Sequence, residues 1–585
     1  MILRYQKYLV MLVLFCANAL LSITFGFYHK HWYAYIFILA LTSLLNSFSA
    51  ILLLLKKLFS NKKANDLKRS LNPTNYVYVI PCYSESEVEL TNTINSIVLQ
   101  RTVKNDKNCM VIICDGKVKG SGNLLSTDEI LVKKILNNDT LAKELKYTTW
   151  DNRENTLEVY TGNYTFKNNT MKYILMVKNV NYGKRDSLVL IRKLCYNYNR
   201  NINNDKMLSS GLFHHMEYQF DEIFGEKIDY IIGIDADSVF DYNCSYELIS
   251  SIERDKKVFG CVGYVDVNTK EHPTDLFILY QYGEYMFEQC LKRNAQSQIT
   301  HKVNCLSGCN QILRISEETC GDAILSRFYY LPKDTDDLFT HIRSVSSEDR
   351  NHVCIMLSMY PYVKTVQNLN AIAYTNVPTR LRVFLSQRRR WSLGANLNDF
   401  MMLFMPNINI FERIAAFVNI TIYSLSPFVY IATVFFLISL FTNPSYLMLL
   451  LATIMIIPYV YGLLIPFFIK PMTFKKTIYY YSSFIFFILF GSTINLTTYF
   501  YSILGMDNVK WGKTRTIEDI KDIVLNLPQE YPLETNTDEI TLTSSNKSSD
   551  HFWYDNSDLE AIKNINDKDI YAVVNKKKQV IADIV

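Results

Sequence analysis

Five apolar runs, at residues 8–26, 33–55, 415–441, 446–469 and 479–504, are each long enough to cross a bilayer as a helix. Lipid cannot satisfy a bare peptide group, so such segments have little choice but to be helical. The stretch between the second and third runs is charged and reads as one or two ordinary globular domains. This segregation explains how 49% hydrophobic content coexists with 20% charged residues. The chain therefore reads as a multipass membrane protein with a soluble middle. Its net charge of +5 forms no basic stripe, which argues against a nucleic-acid partner.

Cationic loops set the expected orientation. Lys56, Lys57, Lys62, Lys63, Lys68 and Arg69 crowd the exit of the second run, whereas the turn after the first carries Lys30 and two histidines. The positive-inside rule then puts the middle region and the N-terminus, with Arg4 and Lys7, in the cytosol. Ala17-Asn18-Ala19 resembles a signal-peptide cleavage site, but apolar residues continue past it to Phe27. The 12 cysteines are expected as reduced thiols, since no pair beyond Cys305 and Cys309 has metal-ligand spacing.

Within the soluble region, Tyr76–Ile80 reads as a strand stopping at Pro81, Met110–Cys114 as a second, and Asp229–Ile234 as a third. Helical periodicity follows the first at Val88–Gln100. Strands alternating with helices predict an α/β sheet whose ligands bind at the carboxyl ends of strands. The Pro81–Glu85 loop, Asp115-Gly116 and Asp235-Ala236-Asp237 all fall at such ends. Two carboxylates one residue apart can reach one hard cation that also binds substrate phosphates; a solvated loop is the bland alternative. Gly183-Lys184-Arg185-Asp186-Ser187 opens a helix and suits an anion, but it lacks the upstream glycine of a Walker loop, as does Gly512-Lys513-Thr514. Glu348-Asp349-Arg350 opens a later helix, where its acids serve either as caps or as a general base. Gln387-Arg388-Arg389-Arg390-Trp391 offers guanidinium forks for a diphosphate and an indole face for a sugar, or else a basic patch for anionic lipid.

Together these segments resemble the processive family-2 glycosyltransferases, and most closely the chitin synthases. The likeness runs from about Tyr76 to Arg515. It rests on Pro81–Glu85, Cys114–Asn123, Gly183–Ser187, Asp235–Asp237, Gln281-Tyr282-Gly283-Glu284-Tyr285, Glu348–Arg350 and Gln387–Trp391, in that order. The resemblance implies a GT-A-type α/β domain inserted between transmembrane helices, using UDP-N-acetylglucosamine and magnesium or manganese. It implies donor contacts from Pro81, Tyr83, Glu85, Asp115, Lys184, Asp235, Gln387 and Arg390, and metal binding by Asp237. It further implies acceptor contacts from Glu284 and Trp391 and a general base in Asp349. The partners it implies are a growing chitin chain, membrane lipid and a second copy of the chain, with the protein in the plasma membrane. Hyaluronan synthase is the nearest alternative, and an inactive membrane scaffold a more distant one.

The expected organisation is two transmembrane helices in 1–57, the catalytic domain in 58–378 and interface helices in 379–412. A channel-forming helical set in 413–505 and a tail in 506–585 follow. Residues 379–400 read as an amphipathic interface helix whose arginines snorkel. Three departures from the family pattern stand out: Ser307 in Ser307-Gly308-Cys309, the Ser-Leu-Gly-Ala sequence after Trp391, and the extra lysine in Trp511-Gly512-Lys513-Thr514-Arg515. Three full crossings after residue 413 would leave residues 511–515 on the wrong side, so either one segment is re-entrant or the tail is external.

Overall fold

The computed structural model describes residues 2–28, 33, 35–59, 72–120, 123–203, 205–269, 273–333 and 335–508. Ser121, Gly122, Trp511–Arg515 and the tail beyond residue 508 lie outside the described residues, as do Lys62, Lys63, Lys68 and Arg69. Two apolar helices come first, α1 (Ile2–Phe27) and α2 (Ile36–Phe59). Then comes the α/β domain: β1 (Asn75–Cys82), α3 (Glu87–Val98), β2 (Lys107–Cys114), β3 (Lys143–Thr148), β4 (Glu154–Phe166), β5 (Asn169–Lys178) and α4 (Lys184–Arg200). It continues with β6 (Tyr230–Gly233), β7 (Ser238–Phe240), β8 (Val258–Val267), α5 (Leu276–Phe287), β9 (Gln311–Arg314), α6 (Glu348–Met359) and β10 (Lys364–Thr375). Helices α7 (Leu381–Phe404), α8 (Ile410–Ser424), α9 (Ser426–Thr442), α10 (Tyr446–Leu464) and α11 (Phe474–Leu504) complete the described chain.

One sheet holds the ten strands of the described residues, in the order β3-β4-β5-β2-β1-β6-β9-β8-β10-β7. Its heart, β5-β2-β1-β6, is parallel, and the antiparallel strand β9 joins β6 to β8. The centre reads as continuous apolar runs because both faces are covered. Val77, Val79 and Val111 face one core cluster, Tyr78, Ile80 and Ile112 the other. The first strand does not stop at Pro81, as expected from sequence, but runs on to Cys82, with Pro81 level with Ile113. The missing N–H does no harm there. Val79 faces β6, taking the amide of Ile234, and β6 has ended before Pro81 would need a partner.

Among the described residues, four helices are long and apolar enough to cross a membrane: Leu3–Phe27, Phe37–Phe59, Tyr446–Ile469 and Phe474–Leu504. The 415–441 run, expected as a single span, is instead the pair α8 and α9, bent by 82°. Pro427 at the start of α9 cannot donate to the preceding turn. The freed groups are satisfied from the side. Ser426 Oγ donates to the carbonyls of Ile422 and Tyr423, at 2.8 and 2.9 Å. The Asn18 amide on α1 donates to the Ser424 carbonyl (2.9 Å) and accepts the Phe428 N–H (3.0 Å). A break in lipid-embedded backbone is tolerated only with such partners.

Both ends of α11 rest on the same unit. Just before it, Lys470 donates to Leu369 of β10 (2.8 Å). Just after it, Asp507 pairs with Lys7 of α1 (2.7 Å), while the neighbouring Gln6 accepts the Leu338 N–H of the α/β domain (2.7 Å). The chain thus leaves α11 beside the start of α1. Midway, Gly283 of α5 lies so close that a Cβ would stand 2.6 Å from the Ser483 carbonyl.

Replacing Asn18 by leucine strands two backbone groups at the α8–α9 break. We expect a loss of about 1–2 kcal/mol, read as a lower unfolding midpoint in detergent, with Asn18→Gln closer to the parent.

Candidate active site

Because β2, β1 and β6 are adjacent and parallel, their carboxyl ends open on one edge of the sheet. After β1 the chain folds Glu85 back on its own loop, where its carboxylate accepts the N–H groups of Tyr83 (2.6 Å) and Ser84 (2.9 Å). Burial lifts the Glu85 carboxyl to about 7, with the backbone amides of Tyr83 and Glu85 opposing the rise and the charge of Asp237 adding to it. After β2, Asp115 accepts the ammonium of Lys178 (2.5 Å) and the Tyr182 N–H (3.3 Å). Lys178 is wholly buried and also meets Asp186 at 2.7 Å; Asp186 in turn accepts the Tyr147 hydroxyl (2.6 Å). An unpaired ammonium there would cost several kcal/mol, at least roughly, so two carboxylates share it. Burial pushes the Asp115 carboxyl up, and Lys178 opposes that.

The second group gathers at the end of β6. Gly183 caps α4, so Lys184 stands in the first turn, 2.6 Å from Asp235 and 3.8 Å from Glu348. Burial would lower the Lys184 ammonium, but Asp235, Asp349 and Glu348 hold it well above its ordinary range. Asp237 lies one turn on, with the Ser238 hydroxyl 3.3 Å from its carboxylate. Helix α6 begins at Glu348 with both acids in its first turn, and its N-cap residue Ser347 makes no side-chain capping bond. One oxygen of Asp349 accepts the Gly308 N–H (2.8 Å). The other is buried and has no hydrogen-bond partner. Burial raises the Asp349 carboxyl to about 6; Lys184 pulls it down, while Glu348 and Asp235 push it further up. Burial also pushes Glu348 up, but Lys184, Arg185 and Arg390 outweigh it and keep that carboxyl low.

Helix α7 carries Gln387–Trp391. Gln387 has a buried side-chain oxygen without a hydrogen-bond partner. Arg390 lies within electrostatic reach of Glu348, which links α7 to the acidic cluster. Trp391 is 41% exposed, and its ring lies 6.2 Å from that of Tyr285. The expected snorkelling fails for two arginines. Arg388 is buried, pairs with Glu284 and stacks on Trp391 at 4.5 Å. Arg389 is buried over the Tyr501 ring, 5.8 Å away. Neither faces lipid, because α5 and α11 cover that side of α7. Glu284 is paired with Arg388 and keeps part of its side chain exposed.

The sequence-derived residues thus fall into three linked sets: Pro81, Tyr83, Glu85 and Asp115; Lys184, Asp235, Asp237 and Asp349; and Glu284, Gln387, Arg390 and Trp391. Sequence reasoning missed Lys178 as the holder of Asp115, and Gly308 as the amide donor to Asp349. Lys178 ends β5 with no motif around it, whereas Gly308 lay in a loop already marked as unusual. Among the described residues, no three His, Cys, Asp or Glu side chains form a metal cage. The donor set still fits a hard divalent cation held by one carboxylate, Asp237, together with substrate phosphates. Asp235 is engaged by Lys184.

A family model described as chitin synthase matches residues 51–538. Chitin synthase 8 of Gibberella zeae is 33% identical over 529 residues, covering 88% of this chain and 78% of the relative. Chitin synthase 8 of Verticillium dahliae is 33% identical over 468 residues, covering 75% and 76%. Among solved structures, a mannosyltransferase from Pyrobaculum calidifontis in complex with GDP-Man and Mn2+ aligns over 83% of this chain and 99% of its own, with 11% identity and a TM-score of 0.36.

A Cβ on Gly308 would stand 2.9 Å from both oxygens of Asp349. Gly308→Ala is therefore expected to displace that carboxylate and cut nucleotide-sugar turnover about 100-fold. Nucleotide affinity, measured by titration, should stay within a few-fold of the parent.

Proposed function

Since the chain belongs to the chitin synthase family, we propose that it transfers N-acetylglucosamine from UDP-N-acetylglucosamine to the C4 hydroxyl of a growing β-1,4 chain, with inversion. We further propose that it passes the product toward its membrane helices. The observation that carries the mechanism is the Asp349 carboxylate. One oxygen is pinned by the Gly308 amide, and the other is free and shielded from water. That is the arrangement a general base needs, and its raised proton affinity brings it nearer to working pH.

In the proposed step the free oxygen of Asp349 takes the proton of the acceptor hydroxyl as the hydroxyl oxygen attacks C1. The C1–O bond to UDP breaks, and the electron pair leaves with the diphosphate. Glu85, Pro81, Tyr83 and Asp115 line the uridine side; Lys178 aims Asp115 and opposes the rise that burial imposes on its carboxyl. Lys184 is poised between Asp235 and Glu348 to meet the diphosphate, with Gln387 and Arg390 on its far side. A divalent cation on Asp237, magnesium or manganese, would neutralise charge developing on the leaving group. Trp391 offers its half-exposed face to the acceptor sugar, with its tilt set by Arg388 and hence Glu284. Much of the rate would come from holding donor and acceptor in line. The family and the candidate spans support a membrane setting, and the cationic residues after the second apolar run support an α/β domain on the cytosolic side.

Purified protein given UDP-N-acetylglucosamine alone, with manganese or magnesium, should make a polymer that chitinase digests. A requirement for UDP-glucuronate would instead favour a hyaluronan synthase. Asp349→Asn should lower turnover by about 10²–10⁴-fold while UDP affinity is retained; unchanged synthesis would remove Asp349 as the base. Because only the carboxylate accepts a proton, kcat should fall as pH drops through about 6. A profile flat down to pH 5 would contradict this.

A further inference from the structure

The arginine of Glu348-Asp349-Arg350 takes no part in the site described above. Arg350 turns away and donates to Asp399 of α7 at 2.5 Å. Asp399 is almost fully buried, and its second oxygen accepts the Asn419 amide of α8 at 2.9 Å. One residue along each helix, Asn351 donates to Asn398 (2.9 Å), whose own amide donates to the Gly394 carbonyl (2.8 Å). Ser347, one residue before α6, has φ +53°, a left-handed conformation that costs a serine roughly 1–2 kcal/mol. A Cβ on Gly394 would stand 2.2 Å from the Ser347 hydroxyl, so α7 presses on this turn. Residues 347, 350 and 351 share one helix face, spaced by three and four. Asp349 projects from the other.

A second arm reaches the same helix α8. Glu412, in its first turn, accepts the hydroxyl of Thr300 (2.5 Å) and the amide of Gln296 (3.2 Å). Those residues lie shortly before the loop that supplies the Gly308 amide. Both supports of Asp349, its helix turn and its amide donor, are thus tied to α8. A buried ion pair adds little net stability compared with apolar packing, because desolvation offsets the attraction. Its value here is geometric.

We propose that Asp399 is a positioning residue for the transfer step, bridging the base-bearing turn of α6 to the membrane-side helix α8. Asp349 is then correctly placed only while α8 is docked, so displacement of α8 during chain passage is felt at the base. The inference rests on Asp349 being the base, as proposed above.

Asp399→Asn tests it in the full-length protein, with UDP-N-acetylglucosamine and manganese. The expected result is a kcat lowered on the order of 10- to 100-fold, with KM for the donor and affinity for UDP within about twofold. Asp399→Glu, which restores the charge, should recover most of the loss. Asn419→Ala, which spares the Arg350–Asp399 pair, should lower kcat less, in the same KM-neutral way. A parental kcat for Asp399→Asn, alongside an inactive Asp349→Asn, would overturn the positioning role alone. Loss of UDP affinity in step with kcat, without recovery in Asp399→Glu, would also overturn it, as the mark of a general folding role. Continued synthesis by Asp349→Asn would instead overturn the base assignment.

Discussion

The ammonium of Lys184 is the charge on which this site depends. Asp235 and Glu348 lie within 4 Å of it, and Asp349 is close enough to feel it. They come from two separate elements, the β6 loop and the first turn of α6. Two unit charges about 4 Å apart interact by roughly 4 kcal/mol at an effective dielectric near 20, equivalent to about three pKa units. That attraction opposes the burial that raises the proton affinity of Asp235 and Asp349. Lys184 is held there because α4 begins at the residue after Gly183. Its counter-charges are those a diphosphate would compete with.

The other side of the site is built by helices that also belong to the membrane-associated part. Helix α7 supplies Gln387, Arg390 and Trp391, and it is wedged between α6 and α11 through Tyr501, Ile494 and Phe384. Helix α5 meets α11 at the close contact of Gly283 with Ser483. The α8–α9 break, satisfied by Asn18, re-aims the chain just beyond Asn419. Gln387, Arg390 and Trp391 therefore sit on a helix that packs against a candidate membrane span, which suits the proposed passage of product toward the membrane helices.

Much of this was legible in the sequence. Strand ends rich in polar residues, the Asp235-Ala236-Asp237 pair and the Glu348-Asp349-Arg350 opening all announced themselves by local pattern, and parallel strand order brought the loops after β1, β2 and β6 to one edge as expected. What stayed hidden depended on long-range packing. Nothing near Arg388 or Arg389 distinguishes a lipid-facing cation from one buried on Glu284 or Tyr501, since the choice is made by α5 and α11. The bend at Ser424–Ser426 needed Asn18, some four hundred residues away. Lys178 and Asp399 carry no motif at all, because a buried counter-ion can come from any element that reaches it.

The most direct test is the pH dependence of turnover in Lys184→Gln beside the parent. If the ammonium is what keeps Asp349 ionised against burial, its removal should raise the base's proton affinity. The acid limb of kcat, measured on whatever activity remains, should then move up by about one pH unit or more. An acid limb at the same pH as the parent would contradict the account, since Lys184 would then not govern the charge of the base.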